Sequence, residues 1–293
     1  MTAARPEAEP GPAVEIAPPP EAEPGPGVAS GPEPETRYRV AALSYFFPAH
    51  DEEANIEGLV TEALAVLPRL ADHFEVIVVD DGSRDATPAL ADRLAADHPD
   101  VVRAVHHATN LGYGAALRSG FRAGRYDLVA FTDGDRQFQI ADLGRLVERL
   151  AAPDAPAAVV GYRIQRADPP IRTAYAQAYR LANRIFFGLR VRDVDCACKL
   201  FRRRALEGVR VESGGAFFSA ELLIKLAAAD RRIAEVGVPH YPRRAGSATG
   251  ARPEVILRAV RDFWSLRLRL WAAPRRALAR GAPIVGGGAE TGA

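Results

Sequence analysis

The chain has 293 residues, 48% hydrophobic and 26% charged, which excludes a disulfide-stapled miniprotein and a wholly disordered chain. It leaves room for one α/β domain of roughly 200–250 residues with extensions. The formal net charge of +1 is uneven: residues 1–36 hold one Arg against seven Glu, a net of −6, so the remainder carries +7. That surplus lacks the basic runs with interleaved aromatics that mark a nucleic-acid partner.

Residues 1–36 also hold ten of the 23 prolines. Such a segment cannot bury enough apolar surface to offset its ordering entropy, so a disordered, partly polyproline-like tail is expected there. It has no apolar core of a secretory signal. No apolar run in the chain reaches the roughly 18–20 residues of a membrane span. The two cysteines, Cys196 and Cys198, cannot make a disulfide framework or fill a four-ligand zinc site. They read as small buried hydrophobes of a protein in a reducing, cytoplasmic compartment.

From Tyr38 the pattern changes. Val40–Phe47 reads as a buried strand stopped by Pro48, and Glu53–Leu67 has helical apolar spacing. Glu75–Val79 is a second buried strand, closed by Asp80-Asp81-Gly82-Ser83, with Asp85 as the N-cap of a helix through Ala96. Val101–His106 is a third strand and Gly112–Gly124 a glycine-rich helix. Leu128–Thr132 is a fourth strand, closed by Asp133-Gly134-Asp135. Ala141–Leu150 is a helix and Ala157–Gly161 a fifth strand. Ile171–Phe187 is a helix, Asp193–Phe201 a strand or extended loop, Phe218–Ala229 a helix and Ile233–Val238 a strand. Residues 253–273 form a final helix. This alternation predicts an α/β fold with a mostly parallel central sheet and helices on both faces. Ligands in such sheets bind outside the carboxyl ends of the strands, where each polar cluster falls.

Four of those clusters carry chemistry. Thr132-Asp133-Gly134-Asp135-Arg136-Gln137 places two carboxylates at a strand end, hard oxygen ligands suited to Mg²⁺ or Mn²⁺ on a diphosphate; a capped turn is the plainer alternative. Asp80-Asp81 at the second strand end can accept hydrogen bonds from a ribose or base; a plain strand-to-helix turn capped by Asp85 is the alternative and can coexist with binding. Pro48-Ala49-His50-Asp51-Glu52-Glu53-Ala54-Asn55-Ile56 follows the first strand, and its acids alone read as partners of a helix dipole. Asn110-Leu111-Gly112-Tyr113-Gly114 is not a dinucleotide fingerprint: Leu117 stands where a third Gly belongs, and the loop follows the third strand.

In order and spacing these motifs resemble the family 2 glycosyltransferases of the GT-A fold, over about residues 40–250. Within that family the chain looks most like the polyprenyl-phosphate (dolichyl-phosphate) branch, through PAHDEEANI, VVDDGSRDAT, NLGYGAALRSG, FTDGDRQF, VVGYR, DVDCACKLFRR and the stretch from Ala220 to Gly250. The resemblance implies inverting transfer from a nucleoside-diphosphate sugar to a polyprenyl phosphate. It implies that Pro48, His50, Glu52, Val79 and Asp81 line the nucleoside pocket, with Asp133 and Gly134 beside the ribose. Asp135 and Gln137 would hold the metal, and Arg163 and Arg172 would grip the acceptor phosphate. The chain departs from the family at His50-Asp51, where Tyr-Asn is usual, and at Arg136 and Phe138. It lacks the Q-x-x-R-W signature of processive synthases.

A phosphate acceptor, with a second pKa of about 6, needs positive charge and not a base. Arg163, Arg172, Arg202–Arg204, Arg243 and Arg244 offer it, and guanidinium forks match phosphate. A hydroxyl acceptor needs a general base instead, for which Asp193, Asp195 and Glu221 are the candidates; Asp195 and Glu221 read equally as structural anchors. A sugar-1-phosphate nucleotidyltransferase needs a Gly/Arg-rich loop after the first strand, where PAHDEEANI is acidic. The six histidines form no metal cluster, and His240 reads as structural. Residues 252–280 hold eight Arg and two acids among Ile, Val, Phe, Trp and Leu. That pattern suits either a helix lying on a membrane surface or ordinary packing with a basic outer face. The expected layout is therefore a tail over 1–36, a catalytic domain over 37–250 and a basic amphipathic helix with its tail over 251–293. The protein would be cytoplasmic, peripheral on the inner face of the membrane.

Overall fold

The computed structural model describes residues 38–164, 170–242 and 253–285, with the side chains of 170–174 outside that description. The expected tail over 1–36, Arg243 and Arg244 lie outside the described residues.

Alternation of apolar runs with amphipathic ones gives strand and helix in turn. They are β1 Val40–Ala49, α1 Glu53–Leu70, β2 Ala71–Asp80, α2 Thr87–Asp97, β3 Val102–His106, α3 Tyr113–Ala123 and β4 Leu128–Phe131. A 3₁₀ turn at Ile140–Asp142 leads into α4 Leu143–Leu150, then β5 Ala158–Arg163, α5 Pro170–Phe187, β6 Lys199–Arg202 and α6 Arg203–Leu206. The last elements are β7 Arg210–Val211, α7 Phe218–Ala228, β8 Ile233–Val238, α8 Pro253–Ala272, α9 Pro274–Leu278 and β9 Ala282–Pro283.

The main sheet has seven strands in the order β3-β2-β1-β4-β6-β5-β8. All neighbours are parallel except at β6, which runs antiparallel to both β4 and β5. The segment Asp193–Phe201 therefore divides: a loop to Cys198, then a short reversed strand. Reversal brings the first residue of β6 opposite Phe131, the last residue of β4. Pro48 does not stop β1, which continues to Ala49. Pairing with β4 ends at Phe46, so beyond it β1 has an unpaired side, where a residue without an N–H is tolerated.

The core is aromatic at its centre. Phe46, Phe121, Phe131 and Phe201 pack with ring centroids 5.0–6.4 Å apart. Gly120 lets α3 approach, since a Cβ there would meet the Phe46 ring at 2.1 Å. Glu75, fully buried, ties β2 to its neighbours by accepting from Ser44 Oγ, Arg125 N and the Arg103 guanidinium. Burial opposes its ionisation, but these donors hold its pKa below the usual carboxylate value. Cys196 and Cys198 are buried free thiols, and burial pushes Cys196 up to about 12. The chain's final described segment returns to the domain: β9 pairs with β7, and Arg122 donates to the Pro283 carbonyl. Phe263 and Leu266 of α8 are buried, Phe263 against Phe186, Phe187 and Phe217.

Candidate active site

The carboxyl ends of the first two strands are joined by their acids. Parallel register sets Pro48 beside Val79, and Asp81 N donates to the Ala49 carbonyl at 2.8 Å. Asp51, with φ of +54°, accepts from Arg84 N at 2.8 Å, while its own N–H donates to Ser83 Oγ. Glu53 accepts from Ala86 N, and Asp85 accepts from Glu53 N and Thr87 N. Each loop thus caps the other's amide groups, a stronger tie than the dipole interaction the sequence suggests. Glu52 accepts from Asn55 Nδ2, and its N–H donates to Thr87 Oγ1. His50 sits half-exposed at the same edge, 3.6 Å from Asp51.

The adjacent acids at the end of β2, Asp80 and Asp81, each hold one of the adjacent histidines at the end of β3, His106 and His107. Asp80 meets His106 Nδ1 at 3.0 Å, and Asp92 takes the opposite ring nitrogen. Burial works against both charges, but the mutual hydrogen bond holds Asp80 below and His106 above their ordinary pKa values. Asp81 meets His107 Nδ1 at 2.6 Å and accepts from Leu111 N and Gly112 N. His107 is pinned on its far side by Ser119 Oγ at 2.8 Å. The glycine-rich motif is thereby fixed to Asp81. Gly112 has φ of +95°, open to glycine without strain, and Gly114 N donates to the Gly214 carbonyl.

The Thr132–Gln137 loop closes on this edge. A Cβ on Gly134 would lie 2.6 Å from the Pro48 carbonyl oxygen, so only glycine permits the approach. Tyr113 donates its hydroxyl to Asp133 Oδ1 at 2.8 Å; burial, then the Asp133 charge, raises the phenol's pKa well above its ordinary value. Asp135 is 6% exposed and accepts from Gln137 N. Gln137 donates its side-chain Nε2–H to the Tyr241 carbonyl, and its main-chain carbonyl accepts from Tyr241 N, which leaves Oε1 as an oxygen donor. These contacts bring Pro48, Glu52, Val79, Asp81, Asp133, Gly134, Asp135 and Gln137 to one edge. No group of three His, Cys, Asp or Glu side chains able to enclose an ion exists among the described residues. Asp135 and Gln137 offer hard oxygens only, a donor set that suits Mg²⁺ or Mn²⁺ completed by diphosphate and water.

Beyond β5 lies a second group. Arg163 donates through Nε and Nη2 to Asp193 at 2.7 and 2.9 Å, a bidentate pair. Asp195 is exposed on the same loop, and its charge acts on Tyr113, Tyr179 and Lys199. Arg172 lies on α5, its side chain outside the described residues. Glu221 is 2% exposed, accepts from Glu212 N and Ser213 N, and pairs with Lys225 at 2.9 Å. Of its two sequence readings, this geometry is the anchor's. His240 is buried with its ring 5.4 Å from that of Phe138. Sequence reasoning missed Lys199, Tyr113 and Tyr241. The signal for Lys199 was its rarity: it is one of two lysines among 38 basic residues.

A mostly parallel sheet with one reversed strand, carrying an acidic loop at the carboxyl edge of β4, is the arrangement of a GT-A glycosyltransferase. The chain belongs to glycosyl transferase family 2, whose model matches residues 44–210. It is 35% identical over 237 residues to glycosyltransferase AglD of Haloferax volcanii, 78% of this chain and 37% of that protein. It is 30% identical over 251 residues to undecaprenyl-phosphate 4-deoxy-4-formamido-L-arabinose transferase of Pseudomonas aeruginosa, 86% of this chain and 70% of that one. With undecaprenyl-phosphate mannosyltransferase of Micrococcus luteus the identity is 31% over 220 residues, 69% of this chain and 88% of that protein. Among solved structures, glucosyl-3-phosphoglycerate synthase of Mycobacterium tuberculosis, crystallised with Mn²⁺, UDP and phosphoglyceric acid, shares the fold. The TM-score is 0.58 at 22% identity, over 80% of this chain and 79% of that one.

Proposed function

We propose that the protein transfers a sugar from a nucleoside-diphosphate sugar to a polyprenyl phosphate with inversion, assisted by Mg²⁺ or Mn²⁺. The observation that carries the reading is the Thr132–Gln137 loop, whose Asp135 is buried at a strand end and whose Gly134 is locked against Pro48. The relatives named for undecaprenyl-phosphate transfer support the acceptor, and the neighbour crystallised with Mn²⁺ and UDP supports the donor and metal.

In this reading Pro48, His50, Glu52, Val79 and Asp81 line the nucleoside pocket. Asp133 and Gly134 lie beside the ribose, and Asp135 with Gln137 holds the ion. Bound there, the ion supplies positive charge to the leaving diphosphate. The acceptor phosphate, largely dianionic at neutral pH, attacks without a general base. Arg163 and Arg172 orient it, Arg163 through a guanidinium whose direction Asp193 fixes. A second reading, a hydroxyl acceptor, is favoured by one observation: Asp195 is an exposed carboxylate on the loop that also bears Asp193, where a general base is useful.

We also assign the protein to a membrane surface on the cytoplasmic side. No helix among the described residues is long and apolar enough to cross a bilayer. Yet α8 exposes Leu257, Trp264, Leu268 and Trp271 beside Arg258, Arg261 and Arg267, and α5 exposes Leu181 and Ile185. Residues 1–36 take no part in the chemistry.

The test offers the full chain a panel of nucleoside-diphosphate sugars with Mn²⁺ or Mg²⁺, a short-chain polyprenyl phosphate and a set of sugar alcohols. Transfer to the lipid phosphate, abolished by EDTA and by Asp135→Asn, is the expected result. Transfer to alcohols alone, lost in Asp195→Asn, overturns the lipid-phosphate acceptor and leaves the donor half standing. Sedimentation with anionic vesicles at low salt tests the membrane assignment, and removal of residues 1–36 should leave kcat unchanged.

A further inference from the structure

Two buried cations belong to side chains that the chain uses nowhere else. Against 36 arginines it has two lysines, Lys199 and Lys225. Both are buried, whereas no arginine among the described residues is. Lys225 has an evident task, pairing with Glu221 and donating to the carbonyls of Arg210 and Arg280.

Lys199 has no such local pair. It opens β6, with Phe131 of β4 and Val160 of β5 as its Cα partners. Because β6 is reversed, this residue lies at the edge where β4 ends, two positions from Asp133 across the ladder. Its side chain is 1% exposed. Nζ donates to the Cys196 carbonyl and stands 5.4 Å from the centroid of the Phe131 ring. That is its one hydrogen bond among the described residues, and it makes no ion pair there. Asp133, Asp193 and Asp195 nevertheless all act on its charge, opposing the burial that lowers its pKa.

We propose that Lys199 is a positioning residue: a fixed positive charge beneath the Asp133–Asp135 and Asp193–Asp195 loops that lets these carboxylates share one site and admit a nucleoside diphosphate. Carboxylates gathered around an anionic ligand repel both each other and the ligand, even with Asp193 held by the Arg163 fork. A cation in solvent-excluded surroundings is screened little by salt, so it offsets that repulsion where a surface arginine cannot. A compact ammonium also suits the place. The planar fork of arginine needs more room and more acceptors than one carbonyl and one ring face provide. The hydrogen bond to Cys196 further ties the charge to the turn that carries Asp193 and Asp195.

The proposal rests on the donor reading above, and its test separates the two. The full chain, Lys199→Met and Lys199→Gln are each titrated with MnCl₂ alone, followed by Mn²⁺ electron spin resonance, and with UDP in EDTA, followed by calorimetry. Loss of a nearby positive charge moves the two ligands in opposite directions. Mn²⁺ should bind both variants about tenfold more tightly and UDP about tenfold more weakly, the scale of one charge at a few ångströms in a partly buried site. Weakening of both ligands together with a lower Tm overturns the proposal in favour of a purely structural lysine. So does full recovery in Lys199→Gln, which keeps a donor for the Cys196 carbonyl but no charge, and so do unchanged affinities. A wild-type chain that binds UDP but not Mn²⁺ refutes the metal reading, and the UDP arm alone then decides on Lys199. One that binds Mn²⁺ but not UDP refutes the donor reading, and the Mn²⁺ arm decides. One that binds neither refutes both readings and the proposal.

Discussion

Asp142 should make the fold less stable at neutral pH than at pH 5, and its replacement by Asn should remove that trend. The residue sits in the 3₁₀ turn after the acidic loop and is 4% exposed, and Oδ2 has no hydrogen-bond partner among the described residues. Arg145 offers an ion pair at 3.3 Å. Burial outweighs it and raises the carboxyl to about 6. A group whose folded pKa lies above its unfolded value near 3.9 contributes stability in its protonated form. That contribution is full below the unfolded value and is lost as pH rises through the folded one. The window is therefore about pH 4 to 6, and at about 1.4 kcal/mol per unit the buried charge costs about 2–3 kcal/mol at pH 7. Asparagine keeps the shape without the charge but leaves an amide imperfectly bonded, at about 1 kcal/mol. The variant should thus gain about 1–2 kcal/mol over wild type at pH 7 and none at pH 4.5. Urea unfolding at both pH values reads this as a shift in midpoint at constant slope. Glu75, Asp80 and Asp85, whose pKa values are lowered, lose stability only as pH falls below about 4, and His106 loses its share as pH rises above about 6.5. All four are common to both proteins and cancel in the difference. A difference that is flat with pH, or that favours wild type as pH rises, refutes the argument.

Three further outcomes follow from the same geometry. Gly134→Ala puts a methyl group 2.6 Å from a backbone oxygen, so the loop must shift. Steady-state kinetics should show a fall in kcat/KM of roughly 100-fold with the fold retained by circular dichroism. Arg163→Lys loses the bidentate pair with Asp193. Transfer to polyprenyl phosphate should fall about 10–150-fold while slow donor hydrolysis is unchanged, as product analysis would reveal. Glu221→Gln breaks a buried pair and should cost about 3–5 kcal/mol in chemical denaturation with kcat of the folded fraction intact; lost turnover at full stability would restore the base role.

The strand–helix alternation was legible because each element has its own apolar period, and the parallel sheet followed from that alternation. Direction was not. Asp193–Phe201 is a mixture of acids, small residues and a short apolar run, and nothing local says that Lys199–Arg202 enters the sheet reversed between β4 and β5. That placement is decided by the ladder it completes. The acidic loop was legible as a motif, since a glycine between two acids after a buried strand is a local pattern. The closeness of Gly134 to Pro48 is a contact between residues 86 positions apart in the sequence. The same limit hid the reciprocal caps. Residue type assigns Asp51, Glu53 and Asp85 to their own helices, whereas all three also serve amides of the neighbouring loop.

The half of the site that faces the acceptor turns on pairs, which residue type alone does not reveal. By residue type Arg163 is a cation for phosphate and Asp193 a base for a hydroxyl, yet each is the other's partner at 2.7 Å. A guanidinium held along its Nε–Nη2 edge by both oxygens of one carboxylate has its direction settled before any ligand arrives, which favours recognition by geometry. It also has part of its charge neutralised, so it serves a dianionic phosphate as an oriented donor more than as a bare charge. The same pairing engages both Asp193 oxygens, so that carboxylate is poorly placed to take a proton from a hydroxyl. One salt bridge therefore bears on both acceptor readings in the same direction: it supports Arg163 toward a phosphate and leaves Asp195 as the carboxylate that a hydroxyl acceptor would require.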